Sequence, residues 1–191
     1  MNLPNRLTVA RFFLTIGFVV SLSLEWPGRY TFALVVFILG SVTDYADGYI
    51  ARRYSMVTDF GKLMDPLVDK IMVSGAFICL IPGGYIPAWA VVVIISREFL
   101  ITGLRLLAVS KGVVLPAESA GKHKTGWQIA TVIFFLFVLS VQEMGGAGLS
   151  EAFLGAALRY GGAVLVAIAL ALTLYSGVGY LWRNRGLLEP G

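Results

Sequence analysis

The sequence predicts an all-α integral membrane protein with six transmembrane helices, and three observations lead there. Of the 191 residues, 58% are hydrophobic and only 14% are charged, with a mean hydropathy of +0.82. A soluble domain of this length has too little interior to hide that apolar surface, so its solvent is a bilayer. Apolar residues also gather into six runs, at 8–24, 31–50, 67–82, 86–107, 127–142 and 153–182. With flanking residues, each comes near the roughly 20 residues that cross hydrocarbon as a helix. Finally, the 15 Lys and Arg residues divide unevenly when the six runs are threaded back and forth. Arg29 and Arg159 fall on one side and all the others on the side of the two termini. That asymmetry puts both termini in the cytoplasm.

The first run follows Arg6 and Arg11 as a signal peptide would, but no A-x-A site follows it and five more runs do. It is read as a retained helix. Asn5 and Thr8 open it, where capping is their ordinary role. Pro27-Gly28 turns the chain into the second run, which ends among acidic residues. The third holds Cys79, the single cysteine, which can form no intrachain disulfide and is read as packing. Pro82-Gly83-Gly84 leads to the fourth run, which encloses Arg97 and Glu98. The longest polar interruption, VSKGVVLPAESAGKHKTG, precedes the fifth and carries His123, read as loop-exposed. Gly145-Gly146-Ala147-Gly148 turns the chain into the sixth. Trp26, Tyr30, Tyr85, Trp89, Trp127 and Tyr160 fall near run ends, as interface anchors do. With no internal repeat or long linker, residues 1–191 read as one membrane domain. The net charge of +4 fits anionic headgroups or phosphates, and the topology accounts for most of it, so no nucleic-acid partner is expected.

Five of the 11 acidic residues crowd into 41–70: Asp44, Asp47, Asp59, Asp65 and Asp69. Asp44 and Asp47 share a face at i, i+3 near the end of the second helix. Asp65 and Asp69 share one at i, i+4 where the third helix enters. The polar connection RRYSMVTDFGK turns the chain between them. An antiparallel pair would therefore aim four carboxylates at one point, while Asp59 falls outside the spacing and is read as solvated. A carboxylate at membrane depth costs roughly 2.5–3.5 kcal/mol, and four together also repel. Two hard divalent cations with oxygen ligands, Mg²⁺ above all, remove both costs. Two-metal sites suit phosphoryl transfer, because they stabilise the attacking and leaving oxygens together. No Cys/His cluster suggests zinc. Gly48 and Gly61 leave room for close approach by a substrate or a facing helix, and Arg52 could hold a phosphate bidentately.

Written out, the segment is Asp44-x2-Asp47-Gly48-x2-Ala51-Arg52-x8-Gly61-x3-Asp65-x3-Asp69. It resembles the signature of the CDP-alcohol phosphotransferase family at all eight positions. The resemblance implies a six-helix enzyme, usually a homodimer, whose polar active-site cavity faces the cytoplasm. Such an enzyme moves a phosphatidyl group from a CDP-linked lipid to an alcohol and releases CMP. Asp44, Asp47, Asp65 and Asp69 would hold two Mg²⁺ or Mn²⁺ ions, and Asp69 would also be the general base. Gly48, Ala51, Arg52 and Gly61, with Asn5 and Thr8, would line the CDP site.

Three further segments, NLPNRLTVAR, SREFLITGLR and GKHKTGWQ, resemble the branch whose acceptor is sn-glycerol 3-phosphate. That implies CDP-diacylglycerol as donor, phosphatidylglycerophosphate as product and the bacterial cytoplasmic (inner) membrane as location. The acceptor's phosphate needs cations not committed to the diphosphate. Arg105, Lys122 and Lys124 are the choice, with Thr125 as hydroxyl donor and the start of the fifth helix favouring an anion. Arg97 and Glu98 sit deeper and read as structural polar contacts or as part of the site.

Three rivals remain. A cation channel or carrier would explain intramembrane acids, but no polar trail continues through the outer halves. A membrane prenyltransferase also pairs aspartates around Mg²⁺, but the Gly48/Arg52/Gly61 pattern fits it less well. A sister enzyme making phosphatidylserine, phosphatidylinositol or an inositol phosphate lipid shares the signature and differs only in acceptor.

Overall fold

A computed structural model describes residues 3–53, 59–113, 115 and 119–187. Over 3–7, 44–53, 59–66 and 119–123, and at Asp69 and Leu187, the description is of backbone alone. Six long helices result: α1 (Leu3–Ser23), α2 (Arg29–Arg53), α3 (Asp59–Cys79), α4 (Ala88–Ser110), α5 (Ser119–Glu143) and α6 (Glu151–Arg183). No strand occurs among the described residues. A π-helical stretch, Ala157–Gly161, interrupts α6.

Each apolar run overlaps one helix, but the helices extend further than hydropathy alone marks. The α2 helix continues to Arg53 and α3 already begins at Asp59. Much of the expected polar connection is therefore helical, Arg52, Asp59 and Gly61 included. Likewise α1 begins by Leu3, which puts Asn5 and Thr8 inside the helix rather than at its cap. Hydropathy reports what a segment dissolves in. Helix formation continues through polar residues wherever propensity allows. Two helical segments are both long and apolar enough to cross a membrane, Lys124–Glu143 and Glu151–Arg183. Shorter apolar stretches occupy Thr8–Ser23, Arg29–Thr43 and Lys70–Cys79.

The α1 helix packs on α2 and α3, α5 on α2 and α6, and α4 on α6 and α3. Phe18, Phe37, Phe77, Phe135 and Leu136 close the interior. Gly162 lets α6 approach α5: a Cβ there would lie 2.4 Å from Cζ of the fully buried Phe135. Around the outside, large apolar side chains such as Phe13, Val35, Phe99 and Trp182 are exposed on four different helices. Apolar surface spread over four helices is what contact with lipid tails would cover.

One end of the bundle carries the turns at 24–28, 80–87 and 144–150. There Glu143 Oε2 accepts from the Tyr30 and Thr31 N–H groups at 3.2 and 3.4 Å, capping the start of α2. Thr31 and Ser140 share a 2.7 Å hydrogen bond beside it. Burial, reinforced by Tyr30, pushes the Tyr85 phenol up to about 12, so it stays neutral at this end. The opposite end carries the acidic segment.

Candidate active site

The eight signature positions lie on the terminal turns of α2 and the opening turns of α3. Side chains of Asp44, Asp47, Gly48, Ala51, Arg52, Gly61, Asp65 and Asp69 fall outside the described residues, as do those of Asn5 and Lys122. The backbone still places the two acidic pairs. Gly40 on α2 is approached by Met72 on α3, whose Sδ would stand 2.6 Å from a Cβ added there. Gly40 precedes Asp44 by one turn, and Met72 follows Asp69 by three residues. The helices are thus in contact about one turn from Asp44 on α2 and from Asp69 on α3. Packing of α1 against both brings its opening turns to the same end, with Thr8 buried. Among the described residues, no group of His, Cys, Asp or Glu could hold a metal ion. Asp44, Asp47, Asp65 and Asp69 carry hard oxygen donors of the kind that divalent cations take.

Beside this region lies a polar cluster between α3, α4, α5 and α6. Lys124 on α5 is only 2% exposed, and its Nζ forms an ion pair with Glu98 Oε1 on α4. Arg97 Nη1 reaches the same oxygen at 3.4 Å, and its Nη2 donates to Ser176 Oγ on α6 at 3.0 Å. Gly177 makes room for that reach, since a Cβ there would lie 2.8 Å from Arg97 Cγ. Lys70, which follows Asp69 on α3, donates to Thr102 Oγ1, and Thr102 in turn donates to the Glu98 carbonyl at 2.8 Å. Gln128 donates to Thr173 across α5 and α6 at 3.2 Å. Two turns beyond Glu98, about 10 Å along α4, Arg105 donates from Nε to Tyr180 Oη at 3.1 Å. Its guanidinium also lies 5.5 Å from the centre of that ring. Thr125 is half-buried nearly two turns into α5, which begins at Ser119, so neither it nor Lys124 stands at the helix start expected to favour the anion.

Arg97 and Lys124 both meet the Glu98 carboxylate, Lys70 connects through Thr102 to the Glu98 main chain, and Lys124 lies within electrostatic reach of the other two cations. An excess of positive charge in a largely dehydrated place suits an anion. Of the expected acceptor residues, Arg105 and Lys124 stand on neighbouring helices on this side. Lys70, Thr102, Ser176 and Tyr180 were missed by sequence reasoning. Their signal was available: Thr173, Ser176 and Tyr180 form a polar stripe at i, i+3 and i+7 within an otherwise apolar run.

A family model described as CDP-alcohol phosphatidyltransferase matches residues 1–176. The chain belongs to this family. The match includes every signature position and ends at Ser176, so Tyr180 lies beyond it. The CDP-diacylglycerol–glycerol-3-phosphate 3-phosphatidyltransferase of Bacillus subtilis is 43% identical over 143 residues, 69% of this chain and 74% of its own. The protein of that name in Rickettsia bellii is 34% identical over 179 residues, covering 94% of this chain and 93% of the relative. A probable phosphatidylglycerophosphate synthase of Mycobacterium tuberculosis is 34% identical over 186 residues, 95% and 81% of the two chains. For a family that joins a CDP-linked group to an alcohol, the juxtaposition seen here is apt. The four aspartate positions lie on the ends of α2 and α3, and the cationic cluster lies beside them among α3, α4, α5 and α6.

Proposed function

We propose that this chain transfers a phosphatidyl group from CDP-diacylglycerol to sn-glycerol 3-phosphate, giving phosphatidylglycerophosphate and CMP. The observation that carries the choice of acceptor is the cationic cluster of Lys70, Arg97 and Lys124, with Arg105 beyond it, next to the Asp69 turn. Serine and inositol bring no phosphate to such a place. An acceptor with a phosphate dianion does, and relatives of this chain carry that activity in their names.

On this reading Asp44, Asp47, Asp65 and Asp69 hold two Mg²⁺ or Mn²⁺ ions, which when bound supply charge neutralisation at the diphosphate. Gly48, Ala51, Arg52 and Gly61 hold the cytidine diphosphate, with Asn5 and Thr8 beside them. Arg105, Lys122, Lys124 and Thr125 hold the acceptor's phosphate and so fix its hydroxyl in line with the scissile bond. Asp69 takes the hydroxyl proton. The freed oxygen pair forms a bond to the lipid-linked phosphorus, the phosphorus–oxygen bond to CMP breaks, and CMP leaves with that pair. No Ser, Cys or His is arranged as an activated nucleophile among the described residues, so the displacement is direct.

The reading includes six membrane-spanning helices in one domain, 1–191, with the site and both termini facing the cytoplasm of a bacterial inner membrane. Helix length supports it, since the shortest of the six has 21 residues, about 31 Å at 1.5 Å per residue. The one-sided Lys/Arg distribution supports the orientation. A homodimer completes the picture. The test is stereochemical: a chiral phosphorus in the donor should be inverted in the product. Retention would contradict direct displacement.

A further inference from the structure

We infer that Glu98 is the positioning residue of the acceptor-phosphate site, acting through Lys124. The inference rests on the proposed reading that Lys124 meets that phosphate. Lys124 is buried to 2% exposure, so its ammonium cannot search for a partner as a surface lysine does. Its place is set by what it touches, and among the described residues its one hydrogen-bond partner is Glu98 Oε1. An ammonium has three donors. One bond to Glu98 fixes the nitrogen and leaves two N–H groups for an oxyanion.

The carboxylate is itself held from several directions. Arg97 lies against the same Oε1, and is anchored in turn on Ser176 and over Gly177 of α6. The Glu98 carbonyl receives Thr102, which receives Lys70, the residue after Asp69. The ion pair is thus registered to the α3 turn that carries the general base. The charges suit the task. Two cations, Arg97 and Lys124, meet the one Glu98 carboxylate, so the contact keeps an excess of positive charge. A second carboxylate would remove the attraction for a phosphate, and none at all would leave the cations to repel one another. Among the described ionisable side chains, Arg97 and Lys124 meet the Glu98 carboxylate, and Lys70 lies within electrostatic reach of Lys124.

The test compares Glu98→Gln with Glu98→Asp, each alone and in a Lys124→Met background, in the full-length protein in detergent. The readouts are separate KM values for glycerol 3-phosphate and for CDP-diacylglycerol. Glu98→Asp keeps the charge but retracts the carboxylate by about one carbon–carbon bond, 1.5 Å. A merely charge-balancing role would not feel that change. We expect Glu98→Gln to raise the acceptor KM about tenfold, the scale of one charge-assisted contact. Glu98→Asp should raise it by a smaller factor, with the donor KM within about twofold in both. In the Lys124→Met background neither change should move the acceptor KM further, because the residue acted upon is gone.

An unchanged acceptor KM in both variants would overturn the inference. So would equal shifts in the two KM values, or effects that add to that of Lys124→Met. Should Glu98→Gln fail to elute as a folded protein, Glu98→Asp carries the comparison. If neither folds, the pair serves assembly and the inference falls. Wild-type protein that ignores glycerol 3-phosphate altogether would remove the acceptor reading first and this one with it. A wild type that uses it while the variants behave normally would remove this one alone.

Discussion

At the end of the bundle with the glycine turns, phenylalanines close the interior, and polar groups serve to finish backbone. At the acidic end the interior holds ions. Phe18, Phe37, Phe77 and Phe135 are each no more than 1% exposed, packed where α1, α2, α3 and α5 meet. The carboxylate at that end, Glu143, satisfies the first N–H groups of α2, a purely structural use. At the other end Lys124 is buried and Glu98 and Arg97 are partly buried as charged groups, near four aspartate positions on α2 and α3. Buried ion pairs are weak sources of stability, because desolvation offsets most of their attraction. A bundle that needed only to hold together would not place them there. The apolar half provides the fold, and the polar half spends some of that stability on an arrangement of charge.

The comparison breaks most sharply at the aspartates. Asp69→Asn should lower turnover about 10²- to 10⁴-fold, the usual contribution of a general base. Asp44→Asn, Asp47→Asn and Asp65→Asn should also abolish CMP release. All four should still insert and elute as folded protein, since each substitution removes like-charge repulsion rather than packing. Loss of folding in all four would mean that the acidic end is structural after all.

Next in size is Arg105→Ala, which should raise the acceptor KM on the order of ten- to a hundredfold while the CDP-diacylglycerol KM stays near its original value. Steady-state kinetics with each substrate varied in turn would show it. Tyr180→Phe, which removes the 3.1 Å bond but keeps the ring, should cost about threefold in the same constant.

Substitutions at the apolar end should do the opposite. Gly162→Ala sets a methyl 2.4 Å from Phe135 Cζ in the packed core. Overpacking of that kind costs about 1–3 kcal/mol, partly offset by the better helix propensity of alanine. Thermal unfolding in detergent should shift down, with both KM values unchanged at a permissive temperature. Smallest of all, Glu143→Gln keeps an acceptor oxygen but loses its charge at the α2 N-terminus. It should cost about 0.3–1 kcal/mol, read as a small drop in unfolding temperature with normal kinetics. A KM change from either would erase the division between the two ends.

How much of this was legible in the sequence follows the same division. The six helices could be read because apolar runs report burial or lipid directly. Their polar extensions, such as Arg53 on α2 and Asp59 on α3, could not, since hydropathy falls off before the helix does. The signature could be read because its eight positions lie close together along the chain. The partnership of Glu98 with Lys124 could not, because no local rule pairs residues 26 apart on different helices. The sequence marks Lys124 as a candidate cation for the acceptor's phosphate but says nothing of what holds it. Its burial appears only when α4 and α5 are brought together.

The central claim is that the charged end of this bundle serves a phosphate-bearing acceptor, and one measurement addresses it directly. Purified protein would be given CDP-diacylglycerol and Mg²⁺, and initial CMP release followed with glycerol 3-phosphate, glycerol, serine and inositol in parallel. The account predicts rapid release with glycerol 3-phosphate alone and abolition of that release by chelator. Glycerol should fare poorly because the cationic cluster then has no partner. Equal or faster release with serine or inositol, or undiminished activity in chelator, would contradict it.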